Sequence, residues 1–130
     1  MNFTYMLAPI EDMTGGAFRT ICHKYGADLT FTELTRVEAL AKYNKSTWSR
    51  MDFNDDTPVV VQLLGAKEEY FAKFLEIFKP KPGFKGINLN FGCPSPQVIN
   101  LGQGCAMVRR ISKAKKIVEM IKINQAENFI

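Results

Sequence analysis

Apolar and polar positions along this chain switch between a period near 2 and a period near 3.6, and the switches predict strand followed by helix four times over. Residues 5–10 predict a first strand. Phe18, Ile21, Cys22 and Tyr25 recur at i, i+3, i+4 and i+7, which predicts a helix over 15–25 with that face inward and Thr14 as its N-cap. Residues 29–33 predict a second strand, and a short helix over 35–43 would bury Val37, Leu40 and Ala41. The polar stretch 44–57, with Asp52, Asn54, Asp55 and Asp56, reads as a loop. The nearly continuous apolar run PVVVQLL at 58–64 is the pattern of a strand buried on both faces of a parallel sheet. A helix over 67–78 turns Phe71, Phe74, Leu75 and Phe78 inward, and KPKPG at 79–83 ends it. Residues 86–90 predict a fourth strand. After a long glycine-rich loop, Ser112 would cap a last helix reaching residue 123, with Ala114, Ile117, Val118 and Ile121 inward; residues 124–130 carry no clear signal.

This alternation implies an α/β protein with a parallel sheet. No Gly-x-Gly-x-x-Gly turn follows the first strand, which argues against a dinucleotide-binding sheet. The units fit a TIM (β/α)₈ barrel, but such a barrel takes about 250 residues. A chain of 130 residues would supply about the first four β-α units, a half-barrel.

Composition adds limits. The chain is 46% hydrophobic and 23% charged, as in one globular domain. No apolar run approaches the roughly 18 residues of a membrane span, and no basic segment precedes an apolar block as in a signal peptide. Cys22, Cys93 and Cys105 are too few and too irregularly spaced for a disulfide framework, and with His23 they lack the paired spacing of a zinc site; a reducing cytoplasm and no metal are expected. The net charge of +4 is concentrated late, in Arg109, Arg110, Lys113, Lys115, Lys116 and Lys122 against Glu119 and Glu127. That surplus suits either a polyanion such as RNA or a solvated helix face.

Candidate chemistry gathers where strands end. The first strand runs out at Ala8, Pro9 and Ile10, the second at Glu33 just before Arg36. The third carries Gln62. The fourth, within GINLNFGCPSP at 86–96, carries Asn88 and Asn90 and delivers Cys93 between Gly92 and Pro94, where a thiol has no helix or sheet to pack into. Burying Gln62, Asn88 and Asn90 without partners would cost about 1–3 kcal/mol per group. They therefore bond either one another or the edge of a planar polar ligand. Glu33 either meets substrate or pairs with Arg36. Cys22 and Cys105 are expected as small core residues, His23 as an exposed helix residue, and Arg109 and Arg110 as either phosphate contacts or a solvated loop.

Together these segments resemble tRNA-dihydrouridine synthases. LAPIEDMTGGAFR at 7–19, Thr32-Glu33 with Arg36, VQLLG at 61–65, INLNFGCP at 87–94 and the glycine-rich 100–106 occur in that family's order and spacing. The resemblance implies FMN bound on a TIM barrel, NADPH (or NADH) as reductant, and reduction of the C5=C6 bond of uridine in tRNA. It implies that Ala8, Pro9 and Ile10 lie against the flavin, that Gln62 bonds its ring edge, that Asn90 faces the uracil with Glu33 and Arg36 on the substrate side, and that Cys93 is catalytic. Hydride would pass from reduced flavin to C6 and a proton from Cys93 to C5. Thiols ordinarily titrate near pH 8.5, so a cysteine can give that proton at neutral pH. It implies further that a second half-barrel and a helical RNA-binding domain lie outside these residues, leaving self-association or pairing with the missing half as expectations. Two rival readings fit the same residues: a flavin barrel acting on free pyrimidines, such as a dihydroorotate or dihydropyrimidine dehydrogenase, and a non-catalytic half-barrel that binds RNA or a partner chain. Glu11-Asp12-Met13 departs from the family where a glycine is usual.

Overall fold

The run 59–64 organises the molecule. In the computed structural model, which describes residues 5–51, 53 and 55–128 (side chains through 124), Val59–Leu64 is the central strand of a parallel sheet. The elements in chain order are β1 Met6–Leu7, α1 Gly16–Lys24, β2 Leu29–Phe31, β3 Thr35–Arg36, α2 Val37–Ala41, α3 Lys45–Arg50, β4 Val59–Leu64, α4 Glu68–Ile77, β5 Phe84–Leu89, α5 Pro96–Asn100, a 3₁₀ turn Gly104–Arg109, and α6 Ile111–Asn128. β1 pairs with β2, β2 and then β3 with one edge of β4, and β5 with the other edge, all in parallel. β2 and β3 occupy one strand position, interrupted at 32–34. Strands thus lie side by side in chain order with helices in the connections, which is part of a (β/α)₈ barrel.

The two faces of β4 have different work. Val61 and Leu63 enter the core with Phe71, Phe74 and Leu75 of α4 and with Phe78 just beyond it; Val37 and Leu40 of α2 and Ile117 and Ile121 of α6 close it. Each such side chain, fully buried, contributes about 1.5–3 kcal/mol. α2, α4 and α6 stand in a row over this face. Trp48, Phe74, Phe78 and Phe84 pack ring on ring, with Phe74–Phe78 and Phe78–Phe84 centroids 5.0 and 5.2 Å apart. Gln62 and Asn88 point to the other face. A bulge opposite Val59/Val60 makes Phe84 pair with Val59 but Gly86 with Val60, so Lys85 is the extra residue. Because strand side chains alternate, that one-residue shift is what sets Gln62 opposite Asn88 rather than opposite Ile87.

The observed elements depart from the sequence reading in definite places. α1 does not bury Phe18, Ile21 and Tyr25, which are 37%, 53% and 90% exposed, and Cys22 is only half-buried. Its buried residue is Arg19, whose guanidinium donates to the Thr14 carbonyl at 2.6 Å. The helix lies at the β1–β2 edge, and among the described residues no element covers its outer side. Gly15, not Thr14, is its N-cap; the Thr14 hydroxyl instead donates to the Ile10 carbonyl and accepts from the Ile10 amide. The stretch read as loop contains α3, because the Asn44 side chain caps it by accepting from the Thr47 amide at 2.9 Å; Asp52 and Asn54 lie outside the described residues. The glycine-rich loop folds into α5 and the 3₁₀ turn. α6 runs on to Asn128, with Ile117 and Ile121 buried but Val118 on its exposed side.

Candidate active site at the carboxyl ends of the strands

An amide ladder crosses the polar face of the sheet. Gln62 Nε2 donates to Asn88 Oδ1 at 2.8 Å, and Asn90 Nδ2 donates to Gln62 Oε1 at 3.1 Å. Gln62 is 7% exposed, so these bonds remove the cost of burying its amide. The three amides thus bond one another, while Gln62 and Asn90 keep capacity for a further partner. The ladder then turns into the loop: Asn90 Oδ1 accepts from the amides of Gly92 and Cys93, at 3.1 and 2.9 Å.

Cys93 is held from its other side as well. Its carbonyl accepts from the Cys105 amide at 3.1 Å. Gly104 lies beneath it with φ +58°, so close that a Cβ there would stand 2.5 Å from the Cys93 carbonyl oxygen and 2.8 Å from Val98 Cγ1. Only glycine fits both that backbone and that gap. Both main-chain polar groups of Cys93 are therefore fixed while the residue stays half-exposed at the rim. Cys105, expected in the core, is half-buried and serves through its amide.

The neighbouring rim is built from longer contacts. Glu33 is 8% exposed. Its carboxylate accepts from the Asp12 amide at 3.1 Å and lies 3.7 Å from Arg50 Nη1, so its ion partner is Arg50 and not Arg36. Hydroxyls of Thr32 and Thr35 both donate to the Glu33 carbonyl at 3.0 Å. Asp12 itself has φ +61°, a backbone that favours glycine, and the Glu33 contact holds it there. Arg36 reaches the other way: Nη1 donates to Gln103 Oε1 at 3.3 Å. Ala8 and Ile10 are exposed and Pro9 half-buried at the end of β1. A cleft of about 450 Å³ lies among Arg109, Arg110, Ile111, Ser112 and Lys113, and the Arg110 guanidinium sits against Gly102. His23 is half-buried at the end of α1, its Nδ1 2.7 Å from the Ala27 carbonyl and so protonated at that nitrogen.

The fold thus links Gln62 to Asn90 and Asn90 to the Cys93 amide, and gives Glu33 and Arg36 separate partners. Arg50 and Gln103 gave no signal in the sequence. Asp12 gave a weak one, since aspartate is among the few residues that tolerate positive φ. Among the described residues no helix is long and apolar enough to cross a membrane, and no group of three or more His, Cys, Asp or Glu is placed to hold a metal ion.

A sequence profile of the family described as dihydrouridine synthase (Dus) matches residues 6–126. The chain belongs to the dihydrouridine synthase family. It is 34% identical over 122 residues to the probable tRNA-dihydrouridine synthase 2 of Bacillus subtilis (strain 168). It is 35% identical over 122 residues to probable tRNA-dihydrouridine synthases of Staphylococcus epidermidis (strain ATCC 12228 / FDA PCI 1200) and Staphylococcus aureus (strain Mu50 / ATCC 700699). Each match covers 91% of this chain and 37% of the relative, so this family member spans little more than a third of their length.

Gln62 uses one of its two Nε2 hydrogens on Asn88 and one of its two Oε1 lone pairs on Asn90. One donor and one acceptor therefore remain on Gln62 for a planar polar ligand.

Proposed function

We propose that this chain carries the flavin-edge and proton-donor portion of an FMN-dependent tRNA-dihydrouridine synthase. Cys93 is the observation that carries the reading. Its loop is fixed through the main chain on both sides, at the carboxyl end of a strand and beside an amide ladder, while the residue stays half-exposed. That arrangement orients a reacting side chain and spends none of its own hydrogen-bonding capacity.

When bound, FMN reduced by NADPH or NADH supplies a hydride. Gln62 would hold the flavin edge with its remaining donor and acceptor, and Ala8, Pro9 and Ile10 would line it at the end of β1. Asn90 uses one Nδ2 hydrogen on Gln62 and keeps the other for a uracil carbonyl. Cys93 then gives its thiol proton to C5, and the thiolate recovers a proton from solvent. Glu33 supports the first loop through Asp12, and Arg36 keeps further N–H donors at the rim for an RNA phosphate, as do Arg109 and Arg110 beside their cleft. The substrate is uridine within tRNA, in the cytoplasm.

The test is a comparison of the chain with its Cys93→Ala variant, both reconstituted with FMN, on unmodified tRNA with NADPH. Dihydrouridine is measured by nucleoside mass spectrometry and flavin uptake by visible absorption. The variant should keep its flavin and slow uridine reduction by about 10²–10⁴-fold, the usual contribution of a general acid. A variant as fast as the parent would remove Cys93 from the chemistry. A parent chain that takes up no flavin would refute the cofactor reading for these residues.

A further inference from the structure

Gln103 is 9% exposed although it belongs to a loop. Its carbonyl oxygen Oε1 accepts from Arg36, a residue 67 positions away at the end of β3. Its main chain is fixed locally, the amide donating to the Val98 carbonyl at 3.1 Å and the carbonyl accepting from the Ala106 amide at 3.2 Å. The two residues that follow are the ones that touch Cys93: Gly104 packs against its carbonyl and Cβ, and Cys105 donates to that carbonyl. Residues 103–105 therefore form a strap against the Cys93 main chain and Cβ, and Arg36 ties that strap to the sheet.

We propose that Gln103 is a positioning residue for Cys93. The Arg36–Gln103 hydrogen bond holds the Gly104–Cys105 strap against the cysteine loop, while Asn90 holds the same loop from the sheet side. The thiol is then located between two anchors, one on β4 and β5 through Gln62 and one on β3 through Arg36. Remove the second anchor and the loop keeps its sheet-side bonds but gains freedom on the other. The proposal rests on Cys93 being the reacting group. Its geometry needs neither flavin nor RNA.

The experiment reads the thiol directly. Alkylation of the 130-residue chain by iodoacetamide is followed peptide by peptide in a mass spectrometer, with Cys22 on α1 as internal reference and circular dichroism as the check of folding. Gln103→Leu keeps the bulk and removes the acceptor; Gln103→Glu keeps an acceptor for Arg36. Gln103→Leu should speed Cys93 alkylation about five-fold, the effect of losing one ordinary hydrogen bond, with Cys22 unchanged, and Gln103→Glu should restore the parent rate. Arg36→Met attacks the same bond from the other side and should match Gln103→Leu, which keeps the test open if either variant folds poorly. A Cys93 rate within two-fold of the parent in both neutral variants would overturn the proposal, and so would a rise shared equally by Cys22. Because alkylation needs no turnover, loss of the strap and loss of Cys93's catalytic role are separately visible.

Discussion

Replacing Gly104 with alanine would put a methyl group into the space that the cysteine loop occupies. At φ +58° the alanine must adopt the left-handed region, and its Cβ would meet the Cys93 carbonyl oxygen at 2.5 Å, Val98 Cγ1 at 2.8 Å and Cys93 Cβ at 3.1 Å. The backbone term costs about 1–2 kcal/mol and forcing an extra methyl into a packed site about 1–3 kcal/mol. A loss of about 2–5 kcal/mol follows from adding the two. Gly92 is the control. It sits in the same loop with nothing within 4 Å of a Cβ and no left-handed φ, so Gly92→Ala should change stability by less than about 0.5 kcal/mol. The assay is urea unfolding followed by circular dichroism, with the midpoint compared at unchanged slope. Equal losses in the two variants, or a loss under about 1 kcal/mol for Gly104→Ala, would mean that the strap does not press on Cys93 as described.

Three further outcomes are expected. Gln62→Leu removes the middle of the amide ladder and strands Asn88 Oδ1 and Asn90 Nδ2, at about 1–3 kcal/mol for each group left without a partner; chemical denaturation that detects no loss would show that these amides re-pair or reach water. Glu33→Ala should cost about 1–3 kcal/mol by leaving the Asp12 amide unpaired, and Asp12→Gly in that background should recover part of the loss, since glycine accepts φ +61° freely; no recovery would place the cost elsewhere. Asp55 accepts hydrogen bonds from Thr20 and Thr57, which lower its pKa from 3.8 to about 2. The folded value lies below the unfolded one, so its stabilisation is complete above about pH 4 and is lost as pH falls through about 2. Asp55→Asn should therefore flatten the acid limb of the stability profile in that window, and a limb as steep as the parent's would contradict the assignment.

Much of the fold was legible because its signals are local. The run 58–64 reads as a strand buried on both faces, and Phe71, Phe74, Leu75 and Phe78 as one face of a helix; the structure has a buried strand at Val59–Leu64 and those four side chains in the core. The helices missed, α3 and α5, are six and five residues long and lack the apolar stripe that Val37, Leu40 and Ala41 give the equally short α2. The apolar stripe of α1 predicts a buried face that the structure does not have. Burial depends on what lies opposite, and among the described residues nothing does; Arg19 is buried instead because a carbonyl stands within its reach.

The candidate site divides along the same line. Sequence alone determined the kinds of group present and their order: a thiol between glycine and proline at a strand end, amides on neighbouring strands, and a family pattern that a profile matches over residues 6–126. Those are properties of residue type and short spacing, which the chain carries whether folded or not. Tertiary structure alone decided the partners. Glu33 chose Arg50 over the nearer Arg36, Arg36 chose Gln103, and a single extra residue at Lys85 put Gln62 and Asn88 on one face. Each of these links residues far apart in sequence, and each depends on side-chain direction and strand register. Both are fixed only when the strands pair and the loops close over them.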